Sequence, residues 1–174
     1  MADYRDLMKQ PEEWTRIRYD DPRLDAFAEE VEDKYGLPPG ILVAIKNAGE
    51  KSNTGQVSSA QARGVMQFIP STMRLQNGKF MHNPDNPFES ILAAGRYLQH
   101  TMKYQYNGQI SLAIADYNTG GPNVTAWQRG ERPLAEETQR YLVRVRDYIT
   151  GSYKERLSQR LQQRQQGREP NGEQ

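Results

Sequence analysis

The chain contains no cysteine and only two histidines, His82 and His100. A disulfide framework and a thiolate metal site are therefore excluded, and two imidazoles so far apart in sequence do not suggest a metal cluster. No apolar run approaches the ~20 residues that a membrane-spanning helix needs, so membrane insertion is not expected. The opening stretch from Met1 to Asp6 lacks the apolar core of a secretory signal, and the sequence predicts a chain without one. A formal net charge of +1 gives no general case for nucleic acid as a partner. Alternating apolar and polar residues, the mark of a half-buried strand, are missing too. Most informative is a local scarcity of acid: residues 34–84 carry six bases against Glu50 alone, whereas residues 1–33 hold eleven acids against five bases.

What is present is helical. Asp21-Pro22 reads as an N-cap followed by proline at the first helical position, and Leu24, Phe27, Val31 and Tyr35 recur at helical spacing until Gly36. A second helix is predicted from about Pro39 to Glu50, followed by a polar loop from Lys51 to Gln61, with Ser71 a candidate cap for a short helix after Pro70. Asn86-Pro87 repeats the cap signal ahead of a core stripe of Phe88, Ile91, Leu92, Gly95, Leu98 and Met102. Further helices are expected over Ile110–Asn118, Pro122–Trp127 and Leu134–Thr150. Beyond Gly151 the composition turns to glutamine and arginine, which reads as a fraying helical extension and then a disordered tail. The fold class is all-α or nearly so. The expected organisation is an acidic lead-in helix at 1–36, a central domain at 37–150 and a tail at 151–174.

Glu50 stands at the end of the apolar run that begins at Ile41. Burial in such surroundings raises a carboxyl pKa and keeps a proton available near neutral pH, which makes Glu50 a candidate general acid. Pairing with the neighbouring lysines and arginines on a solvated surface is the competing reading.

Several segments resemble the soluble lytic transglycosylase family, lysozyme-like enzymes that cleave the glycan strand of peptidoglycan. The most specific runs from Val57 to Thr72 and contains Ser58, Gly64-Val65-Met66-Gln67 and Pro70-Ser71-Thr72. A second, Ala115-Asp116-Tyr117-Asn118-Thr119-Gly120, is similar to the family's alanine-tyrosine-asparagine-alanine-glycine motif. A third, Glu137 to Val145, matches its closing glutamate-threonine and tyrosine-valine signature, and Asn86 to Leu98 looks like its intervening helix. Two positions depart from the pattern. Aligned without gaps from Ile45 to Gln67, Gly49 falls at the catalytic glutamate position and Glu50 at the serine after it, and Gln61 replaces a usual glycine. One helical position is a rotation of about 100°, so the assignment of Glu50 expects the helix end at Gly49 to absorb an extra residue.

The resemblance implies a lysozyme-like fold around a glycan cleft. Glu50 would protonate the glycosidic oxygen and then act as base on the muramyl 6-hydroxyl, closing a 1,6-anhydro ring with no metal or cofactor. Ser58 and Gln67 would hydrogen-bond sugar groups, Met66 would line the groove, and Tyr117 with Asn118 would position Glu50 and the acetamido group. Tyr141 would reach the site from the last helix. Asp116 is the alternative acid, with structural hydrogen bonding as its competing role. Lysozyme-type hydrolysis and a non-catalytic peptidoglycan-binding module are the alternative functions. Peptidoglycan lies outside the cytoplasmic membrane, so delivery is expected from a bacteriophage virion, or secondly from a secretion system. The two ends are candidate docking elements for such machinery.

Overall fold

The structure, a computed structural model, describes residues 3–48, 65–66, 83 and 85–167. Helix α2, Pro22–Tyr35, forms where the local signals put it: the Asp21 side chain accepts from the Arg23 amide, and Gly36 ends the helix at φ 63°. Helix α4, Pro87–Tyr104, likewise starts on Asn86, whose side chain accepts from the Phe88 and Glu89 amides. These two helices pack closely because Gly95 presents no side chain. A Cβ there would lie 2.5 Å from Val31 Cγ1 and 3.0 Å from the Tyr35 ring.

Helix α3, Ile41–Ala48, is apolar nearly all round and is buried at every position but Asn47, as a central helix must be. It packs against α2 and α7, Glu136–Thr150. Between α4 and α7 lie α5, Ile110–Thr119, and α6, Gly121–Gln128, separated by Gly120 at φ 93°. No strand occurs among the described residues, so the fold is all-α. None of the described helices is long and apolar enough to cross a membrane.

Three features differ from the sequence expectation. Helix α3 begins at Ile41 rather than Pro39, because Pro38 to Ile41 makes a turn in which Gly40 takes φ 92°. Its cap comes from elsewhere: the Glu32 carboxylate, fully buried, accepts from the amides of Gly40, Leu42 and Val43 at 2.9, 2.8 and 3.2 Å. The lead-in also carries a short helix α1, Tyr4–Met8, and a 3-10 turn at Pro11–Arg16. Both are too short for a periodic signal. The helix is held by the Tyr4 hydroxyl, which donates to Glu30, and by ring contacts of Tyr4 with Phe27 and Phe88, and the turn by Trp14, which meets Phe88 and donates to the Leu7 carbonyl.

The third difference is at the other end. The helical extension beyond Gly151 is docked over its length as α8, Lys154–Gln166. Arg156, Arg160 and Arg164 recur at four-residue spacing and pair with Glu29, Glu32 and Asp33 of α2. Tyr153, just before α8, donates to Glu29 and covers Gly40, where a Cβ would lie 2.8 Å from the ring.

Candidate active site

The segment 65–66 reaches the core because Val65 and Met66 are both apolar and are buried. Helix α5 meets them from the other side: Tyr117, buried on that helix, donates its hydroxyl to the Met66 carbonyl oxygen. Residues 51 positions apart in sequence are thereby fixed to one another. Burial pushes the Tyr117 phenol well above its usual value, with the neighbouring Tyr141 and Tyr97 adding to the shift. The hydroxyl is therefore a permanent donor at any physiological pH.

Tyr97 of α4 packs edge-on against the Tyr117 ring, with centroids 6.0 Å apart. Its own hydroxyl donates to Asp116, as does that of Tyr106. Asp116 is 1 % exposed, and two phenols occupy its two oxygens. This is structural hydrogen bonding: it locks the C-terminal half of α5, which carries Tyr117. Burial first, and then the Asp116 carboxylate, hold both phenols far above their usual range.

Tyr141 is buried on α7 and belongs to the same core as Tyr117 and Met66. Asn118, half-buried, follows Tyr117 on α5. Among the candidates read from the sequence, Met66, Tyr117 and Tyr141 are thus gathered in one region. Glu50, Ser58 and Gln67, with Gly49 and Gln61, lie outside the described residues.

The last turn of α3, which leads in sequence to Glu50, is tethered by polar groups on several sides. Lys46, 0 % exposed in its side chain, donates to Tyr19 O and to Asp25 Oδ1 and Asn47 Oδ1, both at 2.6 Å. Asn47 Nδ2 donates to Asp25 Oδ1 at 3.1 Å and to the Tyr148 hydroxyl at 2.8 Å. Arg144 Nε donates to the Ala48 carbonyl at 3.0 Å. Sequence reading missed these tethers. The one available signal was spacing, since Arg144 follows Tyr141 by one helical turn and so shares its face.

Among the described residues no group of three or more His, Asp or Glu side chains is arranged to hold a metal ion. The Transglycosylase SLT domain model matches residues 26–139, from within α2 to the first turn of α7. With that match spanning well over half of the sequence, around a helical core that joins the segment 65–66 to Tyr117 and Tyr141, the chain belongs to the transglycosylase SLT family of lysozyme-like enzymes acting on peptidoglycan.

Proposed function

We propose that the protein is a lytic transglycosylase that cleaves the β-1,4 bond between N-acetylmuramic acid and N-acetylglucosamine, with Glu50 as the reacting carboxyl. The observation that carries this reading is the Tyr117–Met66 hydrogen bond, which joins two segments resembling family motifs from opposite parts of the chain. In the first half-reaction the Glu50 carboxyl gives its proton to the leaving oxygen of N-acetylglucosamine as the muramyl C1–O bond breaks. In the second, the same carboxylate takes the proton from the muramyl 6-hydroxyl while that hydroxyl's oxygen bonds to C1. The acid is restored, no water is consumed, and the product ends in 1,6-anhydro-N-acetylmuramic acid.

Ser58 and Gln67 hold the sugar, Met66 supports the groove, and Tyr117, Asn118 and Tyr141 order the acid and the acetamido group. Digestion of purified sacculi followed by mass spectrometry tests the reading. Anhydro-muramyl ends are expected, with loss of activity in Glu50→Gln. Reducing ends heavier by one water would instead indicate hydrolysis, and sacculus binding without any muropeptide release would indicate an idle cleft.

The delivery reading joins this one: the enzyme opens the wall locally for a bacteriophage genome, or secondly for a secretion machine, with the lead-in at 1–36 and the tail at 151–174 as docking elements around a catalytic domain at 37–150. The exposed acids of the lead-in away from α8, Asp3, Asp6 and Glu12, support it, since Glu29, Glu32 and Asp33 are taken up by α8. Proteomics of purified virions from the source strain is the test, and absence of the protein from those particles counts against it.

A further inference from the structure

We infer that Arg144 is a positioning residue for the reaction, acting through the backbone at the end of α3. The inference rests on the reading of Glu50 as the reacting carboxyl.

The carbonyl groups of a helix's last turn have no intrahelical partner and are ordinarily left to water or to a local cap. At Ala48, the last described residue of α3, the carbonyl is held by a side chain 96 residues away, the Nε of Arg144 at 3.0 Å. Ala48 stands two residues before Glu50 in sequence. The donor is itself oriented from two directions. Its Nη2 lies 3.2 Å from Glu137 Oε1, and its guanidinium carbon lies 5.6 Å from the centroid of the Tyr141 ring. A planar fork fixed by a carboxylate and an aromatic face loses little freedom in making the third bond.

The same turn is held further by Lys46 on Asp25 and Tyr19 and by Asn47 on Tyr148, which follows Arg144 by one turn of α7. Packing alone does not call for three polar tethers on three consecutive residues. Together they fix the last described turn of α3, two residues before Glu50 in sequence, and Arg144 supplies the only one of the three made to a backbone atom of α3. Arg144 touches no reacting atom in this account. It sets the origin from which the acid is aimed, and a displacement of about 1 Å at a reacting group costs on the order of a hundredfold in rate.

The test uses the full chain and soluble peptidoglycan oligomers, with kcat and KM measured separately and rates expressed per folded molecule. Arg144→Ala is expected to lower kcat by about ten- to a hundredfold with KM changed less than about threefold, because alignment and not affinity is lost. Arg144→Lys, which keeps a donor long enough to reach the Ala48 carbonyl, is expected to recover most of the loss. Arg140→Ala, on the same helix and paired with the same Glu137, is expected to leave kcat unchanged. If Arg144→Ala does not fold, Arg144→Gln takes its place. Wild-type kcat in the Ala or Gln variant, or a loss that matches the unfolded fraction, would overturn the inference while leaving the transglycosylase reading intact. A wild-type chain that releases no anhydro-muramyl product overturns both, since no reaction then remains to be positioned.

Discussion

Arg160 and Glu32 form a buried ion pair across 128 positions of sequence, and the Glu32 carboxylate of that pair is also the cap of α3. The guanidinium is 5 % exposed and the carboxylate 0 %. Removing one member leaves the other charged and buried, which costs about 3–5 kcal/mol. Arg160→Met is therefore expected to lose that much stability in urea denaturation followed by circular dichroism. The double variant with Glu32→Gln should lose less than the sum of the two single changes. Truncation after Gly151 removes the same guanidinium together with Tyr153, Arg156 and Arg164, and should show a larger loss. An exactly additive cycle would mean that the two groups do not interact in solution.

Tyr117→Phe deletes the hydroxyl that reaches the Met66 carbonyl. A neutral hydrogen bond of this kind contributes about 1 kcal/mol. The variant should lose roughly that amount of stability, and its kcat on sacculus fragments should fall by more than its folded fraction. Unchanged turnover would remove Tyr117 from the site.

Lys46 presents a test of the α3 tethers that does not involve the reaction. Burial lowers the pKa of its ammonium, and Asp25 opposes that shift. Lys46→Met keeps the buried stem but leaves Tyr19 O and the Asp25 and Asn47 side chains without their donor. A cost of about 1–3 kcal/mol is expected in thermal or chemical melts. Equal stability would show that water replaces the amine.

Gly95→Ala adds a methyl 2.5 Å from Val31 Cγ1. The helix itself would gain from alanine, since glycine is the weaker helix former by about 1 kcal/mol. Overpacking at the α2–α4 contact opposes this with about 1–3 kcal/mol. Net destabilisation is the expected outcome, and a higher melting temperature would mean that the two helices separate at little cost.

Acid should weaken the Glu29 contacts to Arg156 and Tyr153. Burial alone would raise the Glu29 carboxyl, but bonds from Arg156 and Tyr153 outweigh it and hold the group below its usual value of 4.5. A depressed folded pKa gives stability that is present in full above the unfolded value and is lost as pH falls through the folded one. Stability should therefore decline below about pH 4.5, and Glu29→Gln should flatten that limb. Parallel acid limbs in the two proteins would count against the assignment.

The elements legible in the sequence are those whose ends are written locally. Asp21-Pro22 with Gly36, and Asn86-Pro87 ahead of Asn107-Gly108, mark α2 and α4 through caps and left-handed turns. The start of α3 was not legible, because its cap is a glutamate from the previous helix. Nor was the docking of α8, since a run of glutamine and arginine shows its partner only when Glu29, Glu32 and Asp33 are known to face it. At the site, motif order placed Tyr117 and Met66 near each other, but not the bond between them. Composition likewise marked Asp116 as an acid without disclosing that Tyr97 and Tyr106 enclose it.

The Glu32–Arg160 pair also orders events in time. During synthesis α3 emerges long before residue 160, so its first amides face a carboxylate that still lacks its counter-charge. The ion pair behind the α3 cap is completed only once residue 160 has been made and α8 has docked. A chain that stops before residue 160 therefore carries the α3 cap as an unpaired buried carboxylate.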